Sequence, residues 1–475
     1  MGAMRQGLAT VAASLLFTAC GGGGSMSAPP SLALGATLTT PADLAAGLTG
    51  TLTLTASLAS GAGVASVEFQ VDGVQVGSPI AAPPYTLGVD TSAYALGQHV
   101  VRTRARDVAN NVSAWSSATV YFGGSRSLPA EFTRTDVGTG LVNATAFAQA
   151  PDPDGRFFVA EQGGTLRVVK NGALLVAPFI ALGVDSSGER GLLGVAVHPG
   201  FATNRYLYLY YTTLEGGTHN RISRFTASSV NPDTVSLGSE WRIADLPLLS
   251  APNHNGGAMH FGNDGKLYVA VGENAVPNNS QDLTTPLGKM LRFNDDGSIP
   301  NDNPFCTTPA ALKCAIWARG LRNPFTFAVR PSDGRIHIND VGQDLWEEID
   351  LGAAGANYGW PGSEGPDNIT AGVTAPLFTY GHAVSGGSGP GGFFNGCAII
   401  GGAFYPDAGP FPPAYQGGYY FTDLCAGVIG RLDLANGNAA YAFGSVSGSP
   451  VGMLTGQDGA LYVLKRDAIT RFSYP

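Results

Sequence analysis

The chain has 475 residues, more than a single hydrophobic core ordinarily holds, so two folded units and a tail are expected. A formal net charge of -9 argues against nucleic acid or an anionic membrane surface as partner and favours a neutral or cationic ligand or a metal ion. Only 13% of residues are charged while Gly numbers 67 and Pro 31, a balance that points to short strands and tight turns rather than long amphipathic helices.

Residues 1–20 read as a targeting segment, with Arg5 as the positive start and Gly7 to Phe17 as an apolar run too short to span a membrane. Phe17-Thr18-Ala19-Cys20 resembles the lipobox of bacterial lipoproteins, with Phe17 where that pattern prefers Leu. The resemblance implies a lipidated Cys20 and a flexible tether over residues 21–31, with the body held at the outer membrane, in the periplasm or at the cell surface. The plain alternative is a secretory signal; the protein is exported on either reading.

Residues 32–123 read as a small β-sandwich. Thr51 to Ala56, Val64 to Val71 and Val100 to Ala105 alternate as half-buried strands do, and Asp72-Gly73 predicts a hairpin turn. The run Val67 to Gly73, Gly97-Gln98-His99 and Ala105-Arg106-Asp107 with Asn110-Asn111-Val112 resembles bacterial Ig-like modules. Nothing in the segment looks catalytic, so a spacer or a weakly adhesive role is expected, with His99 an ordinary strand residue.

From residue 128 to 475 an Asx-Gly turn leading into a β-rich strand recurs. It stands at Asp154, Asp264, Asp333 and Asp458, with variants at Asn204 and Gln416. Six such units predict an all-β, six-bladed propeller with loops of uneven length; a large sandwich and a β-helix are the alternatives. Four cysteines remain after Cys20. Cys306 and Cys314 flank a short loop and Cys397 with Cys425 follows by elimination; zinc competes as a reading, but no histidine stands at ligand spacing.

Polar groups beside Gly or Pro mark several loops: Asn253-His254-Asn255-Gly256-Gly257, the strand end Gly272-Glu273, Arg319 to Pro324, Asp340 to Asp350 and Asn357 to Pro361. In a propeller such loops meet at one end of the central channel. Together with Glu189 to Pro199 and Leu287 to Phe293, they resemble the glucose/sorbosone dehydrogenase family, which includes the soluble quinoprotein glucose dehydrogenases. The resemblance spans residues 128–475. It implies a six-bladed propeller that oxidises an aldose at the anomeric carbon to a lactone, using pyrroloquinoline quinone (PQQ) and calcium and passing electrons to an external acceptor.

By the same resemblance His254 is the general base, Glu273 its orienting partner where the family usually has Asp, and Arg322 the cation over the reducible carbonyls. Asn253, Asn323 and Glu189 match cofactor-contacting positions, Glu189 in place of a glutamine. The Gly342 and Gln343 carbonyls would hold the catalytic calcium. A second, structural calcium would take the Glu348 carboxylate, Glu347 and the Tyr358 carbonyl; adjacent acids after a Gly-containing turn also read independently as a cation site or a solvated loop.

One departure stands out. The family's late lysine and two arginines, which neutralise the quinone's carboxylates, fall on Asp423 to Val428 and Ser447 to Gly452, where this chain has neither Lys nor Arg. Weak cofactor binding, or rescue by cations such as Arg190 or Lys465, follows. The competing functional class is therefore a non-enzymatic, calcium-stabilised propeller that binds a carbohydrate or protein partner. Of the remaining histidines, His198, His260 and His337 read as packing residues, and His219 and His382 as loop residues without a visible partner. No Cys-x-x-Cys-His haem attachment is present.

Overall fold

A computed structural model describes residues 34–475 apart from 43–44, 49, 59–62, 95–96, 123–127, 130, 307–310, 383–395 and 436. The targeting segment and the tether lie outside the described residues. Among those described, no helix is long and apolar enough to cross a membrane, and the one α-helix is the single turn Phe201–Asn204.

The N-terminal unit is a two-sheet sandwich. One sheet orders Ala36–Thr40, Thr51–Leu58 and Tyr85–Asp90; the other orders Ala45–Leu48, Ser116–Phe122, Gly97–Asp107, Val64–Val71 and Val74–Ile80. The Asp72-Gly73 hairpin forms as expected, both residues at positive φ (51° and 81°), the pairing a two-residue turn between twisted strands favours. His99 lies in its strand and bonds Asp72 through Nδ1 at 2.6 Å.

The rest closes into six four-stranded blades, and the recurrent turns lead into the second strand of each: Phe157–Glu161, Tyr206–Thr213, Leu267–Val271, Ile336–Asp340, Tyr419–Asp423 and Leu461–Lys465. The first blade carries one additional short strand. The ring is sealed by chain crossing: the outer strand of the last blade is Thr133–Val137, from the start of the propeller, paired with Ile469–Ser473. Each blade is apolar on both faces, so every gap between neighbours holds a core cluster. Phe158 and Leu166 pack on Val195 and Phe225 between the first two blades, and Val463 and Phe472 pack on Tyr420 and Phe443 between the last two. The innermost strands surround a channel cavity of about 340 Å³, lined by residues including Thr145, Leu193, Met259, Thr326, Gly401 and Met453.

Both expected disulfides are present, Cys306 to Cys314 and Cys397 to Cys425. His337 packs between Phe404 and Tyr419, with ring centroids 4.6 and 4.7 Å away. Burial, with the Arg335 and Arg330 charges, pushes its imidazole down to about 4. A folded pKa below the unfolded value gives stability that is full above about pH 6.5 and lost as the pH falls through 4. Unfolding in urea at pH 7 and 4.5 should therefore show a loss of roughly 2 kcal/mol from this residue. The variant His337→Phe is expected to lack that part of the loss; an unchanged difference between the two pH values would refute the assignment.

Candidate active site

Within a blade the first strand starts, and the second ends, at the same end of the ring. His254 precedes the inner strand Met259–Phe261, Arg322 and Asn323 precede Pro324–Val329, and Glu189 precedes Leu192–Val197. Glu273 follows Leu267–Val271, and Gln343 follows Ile336–Asp340. The antiparallel pattern thus gathers residues far apart in sequence around one mouth of the channel.

At its centre His254 Nδ1 lies 2.6 Å from Glu273 Oε1. The carboxylate can only accept, so Nδ1 carries the proton, and in the neutral imidazole Nε2 presents its lone pair. His254 is in the left-handed region (φ 56°), as are Asn274 (59°) and Ala275 (54°) just after Glu273. Strain of this kind persists only where the surroundings over-determine it. Here they do: the His254 N–H donates to Glu189 Oε2 (2.7 Å), Asn274 N–H to the His254 carbonyl (3.1 Å), and Glu273 N–H to the Arg322 carbonyl (2.9 Å). Gly272 is required for the approach, since a Cβ there would meet the His254 carbonyl oxygen at 2.2 Å. Glu189 thus fixes the His254 loop, and the Asn253 carbonyl accepts from Asn274 Nδ2 (3.4 Å).

Arg322 is held as a rigid fork. Its Nη1 donates to the Val341 carbonyl (2.9 Å), and its Nε and Nη2 donate to Gln343 Oε1 (3.0 and 2.6 Å). The guanidinium stands 5.6 Å from the centre of the Trp360 ring. Asn323 Oδ1 accepts from Gly256 N–H (3.2 Å), tying this loop to that of His254. Below, Asp340 accepts the N–H of Arg322 (2.8 Å) and of Asn323 (2.7 Å). Trp360 and Glu364 arrive on the long crossover after Trp346–Leu351, which runs parallel to Ile316–Arg319 at the Arg319 and Asn357 bridge. Glu364 Oε1 then accepts the N–H groups of Gln343, Asp344, Leu345 and Trp346. Burial raises that carboxyl, but the backbone donors outweigh it and leave its pKa low.

The structure separates Glu347 from Glu348, because neighbours in a strand point to opposite faces. Glu347 is wholly buried, contacts His382 Nε2 and accepts from Ile399 N–H (2.8 Å), so it does not share the expected site of Glu348. His382 and His219 do have carboxylate partners, Glu347 and Asp245. Glu348 instead shares a face with Asp350 and sits cross-strand from Asp340. Burial raises all three: Asp340 to about 7, with the Glu347 charge adding to it against the Arg322 and Asn323 N–H donors, and Glu348 and Asp350 well above the carboxylate range, where repulsion by Asp340 and by Glu348, respectively, comes next. Both Asp350 oxygens are buried without a hydrogen-bond partner among the described residues. Tyr358 lies beside them, donating its hydroxyl to the Leu351 carbonyl (2.9 Å), with its phenol pushed up by burial and then by the Asp350 charge.

The trio is too wide to form a preassembled three-carboxylate cage. The one such grouping among the described residues is Cys397, Asp423 and Cys425, where the sulfurs are bonded to each other and Asp423 accepts four backbone N–H groups. That disposes of the zinc alternative. The two cations offered from sequence as replacements are engaged: Arg190 with Asp185 (2.8 Å) and the Ala251 carbonyl, Lys465 with Asp136 (2.8 Å).

The fold is that of the glucose dehydrogenase propellers among solved structures. The chain belongs to the glucose/sorbosone dehydrogenase family, whose model matches residues 143–472, and a bacterial Ig domain model matches residues 35–102. It is 34% identical over 248 residues to the aldose sugar dehydrogenase YliI of Escherichia coli, covering 49% of this chain and 66% of that protein. It is 31% identical over 243 residues to quinoprotein glucose dehydrogenase B of Acinetobacter calcoaceticus, covering 45% and 49%. The chain thus spans from about half to just under two thirds of these curated relatives. The crystal structure of the E. coli soluble aldose sugar dehydrogenase in its apo form superposes with a TM-score of 0.62 at 28% identity, over 72% of this chain and all of that one.

Proposed function

We propose that the protein oxidises an aldose at its anomeric carbon to the lactone, with PQQ as acceptor and calcium as its companion ion, after export to the periplasm or cell surface on a lipid anchor. The observation that carries this reading is the His254 and Glu273 pair, aligned by bonds to both neighbouring loops and set beside the Arg322 fork. His254 Nε2 takes the proton of the anomeric hydroxyl while the C1 hydrogen leaves as hydride, and Glu273 stabilises the imidazolium that results. When bound, the quinone supplies the two-electron acceptor and calcium the Lewis acid. Arg322, fixed by Gln343 and Val341, would set a positive charge where negative charge develops. Asn323 and Asn253 would line the cofactor's place, and the Gly342 and Gln343 carbonyls would hold the catalytic ion.

The residues fit an oxygen-liganded cation: a buried acid trio with an unpartnered carboxylate is stabilised by bound positive charge. Glu348 and the Tyr358 carbonyl, with Asp350 added, would hold the structural ion. The test is titration of metal-free protein with PQQ and calcium, followed by an aldose panel. Saturable binding and sugar-dependent bleaching of the oxidised quinone are expected. Absence of both, with calcium still raising the unfolding temperature, would replace this reading with that of a binding propeller.

A further inference from the structure

The channel mouth holds a cation that no expectation from sequence included. Arg466 lies in the connection between Leu461–Lys465 and Ile469–Ser473, at the same end of the ring as Glu273 and Gln343. Its backbone is pinned on both sides: its N–H reaches the Gly448 carbonyl (3.4 Å), and its carbonyl accepts from Ala144 N–H (3.0 Å). Gly448 and Ala144 stand at the starts of the inner strands of the last and first blades, so Arg466 sits at the rim of the channel. Among the described residues the guanidinium makes one hydrogen bond, from Nη1 to the Ala144 carbonyl at 3.3 Å. Among the described residues no carboxylate lies within ion-pair distance of it, whereas its neighbour Lys465 turns to Asp136.

A half-buried guanidinium without a counter-charge is costly, and burial accordingly pulls its pKa below the usual arginine value. With four of its five donors unspent, it presents a fork suited to a carboxylate. The segments beside it, Ser447 to Gly452 and the Cys425 loop, contain no Lys or Arg.

We infer that Arg466 is the anion anchor of this mouth and pairs with a carboxylate of the bound quinone, a role that rests on the quinone reading above. The positive charge absent from the two flanking segments is supplied from the adjacent connection of the same blade.

The experiment measures the dissociation constant of PQQ by quenching of tryptophan fluorescence, in calcium, for the wild type, Arg466→Gln and Arg466→Lys. The fully esterified quinone is measured on the wild type in parallel. Arg466→Gln should weaken binding at least about tenfold and flatten its dependence on salt, with Arg466→Lys retaining part of the affinity. The ester should bind the wild type correspondingly weakly. An unchanged constant for Arg466→Gln overturns the inference and leaves the quinone reading standing; a wild type that binds no PQQ overturns both. Should the variants fail to fold, an ester that binds the wild type as tightly as the acid overturns the inference by itself.

Discussion

Replacing His254 by asparagine is expected to lower kcat for aldose oxidation by about 10²- to 10⁴-fold, the usual contribution of a positioned general base. Asparagine is chosen because it tolerates the left-handed conformation that His254 adopts at φ 56°. Alanine would add backbone strain to the loss of the base. The bonds that fix the loop, from His254 N–H to Glu189 and from Asn274 N–H to the His254 carbonyl, use the backbone and survive the change. The unfolding midpoint should therefore hold while turnover collapses, with KM changing far less than kcat because the imidazole acts in the transition state. Glu273→Gln should lower kcat in the same direction. It removes the charge that stabilises the imidazolium and leaves Nδ1 facing a group that can donate as well as accept. Single-turnover rates of quinone reduction decide the matter: a His254→Asn enzyme running near the wild-type rate would remove His254 from the chemistry.

The recurrent turns were readable as blades because each one precedes a second strand, and the repeat therefore follows the ring's own geometry. His254, Glu273 and Arg322 were readable because their loops carry glycines and prolines that only tight approaches require. Gly272 is the case in point, its Cβ position already occupied by the His254 carbonyl. What escaped the sequence was pairing across space. Glu347 and Glu348 look alike in the string, yet the strand's alternation sends one to His382 and the other to Asp340. The signal for Asp350 was present all the same: two acids at i and i+2 in a strand share a face, and that face is buried. Arg466 left no such mark. Its significance lies in the absence of a partner, which depends on how the last blade meets the first.

Removing calcium is expected to make the protein's stability fall as pH rises, a slope opposite in sign to that from His337. Asp340 has a folded pKa of about 7 against an ordinary 3.8, so its contribution is full below pH 3.8 and is lost as the pH rises through 7. Glu348 and Asp350 are raised further in the same direction, burial being the first cause and their neighbours' charges the next. Metal-free protein should thus melt at a lower temperature at pH 8 than at pH 5. Calcium at 100 times its dissociation constant should return about 2.7 kcal/mol at pH 8. Glu348→Gln removes one ligand and one repelling charge together, so its metal-free form should be no less stable than the wild type at pH 8 while its gain from calcium shrinks or vanishes. Asp350→Asn should behave alike, because its two carboxylate oxygens have no other partner among the described residues to lose. Scanning calorimetry with chelator and with calcium, at both pH values, separates the cases. A wild type that melts at one temperature with and without calcium at pH 8 would take the metal away from this acid trio, and equal calcium gains in wild type and Glu348→Gln would place the ion elsewhere.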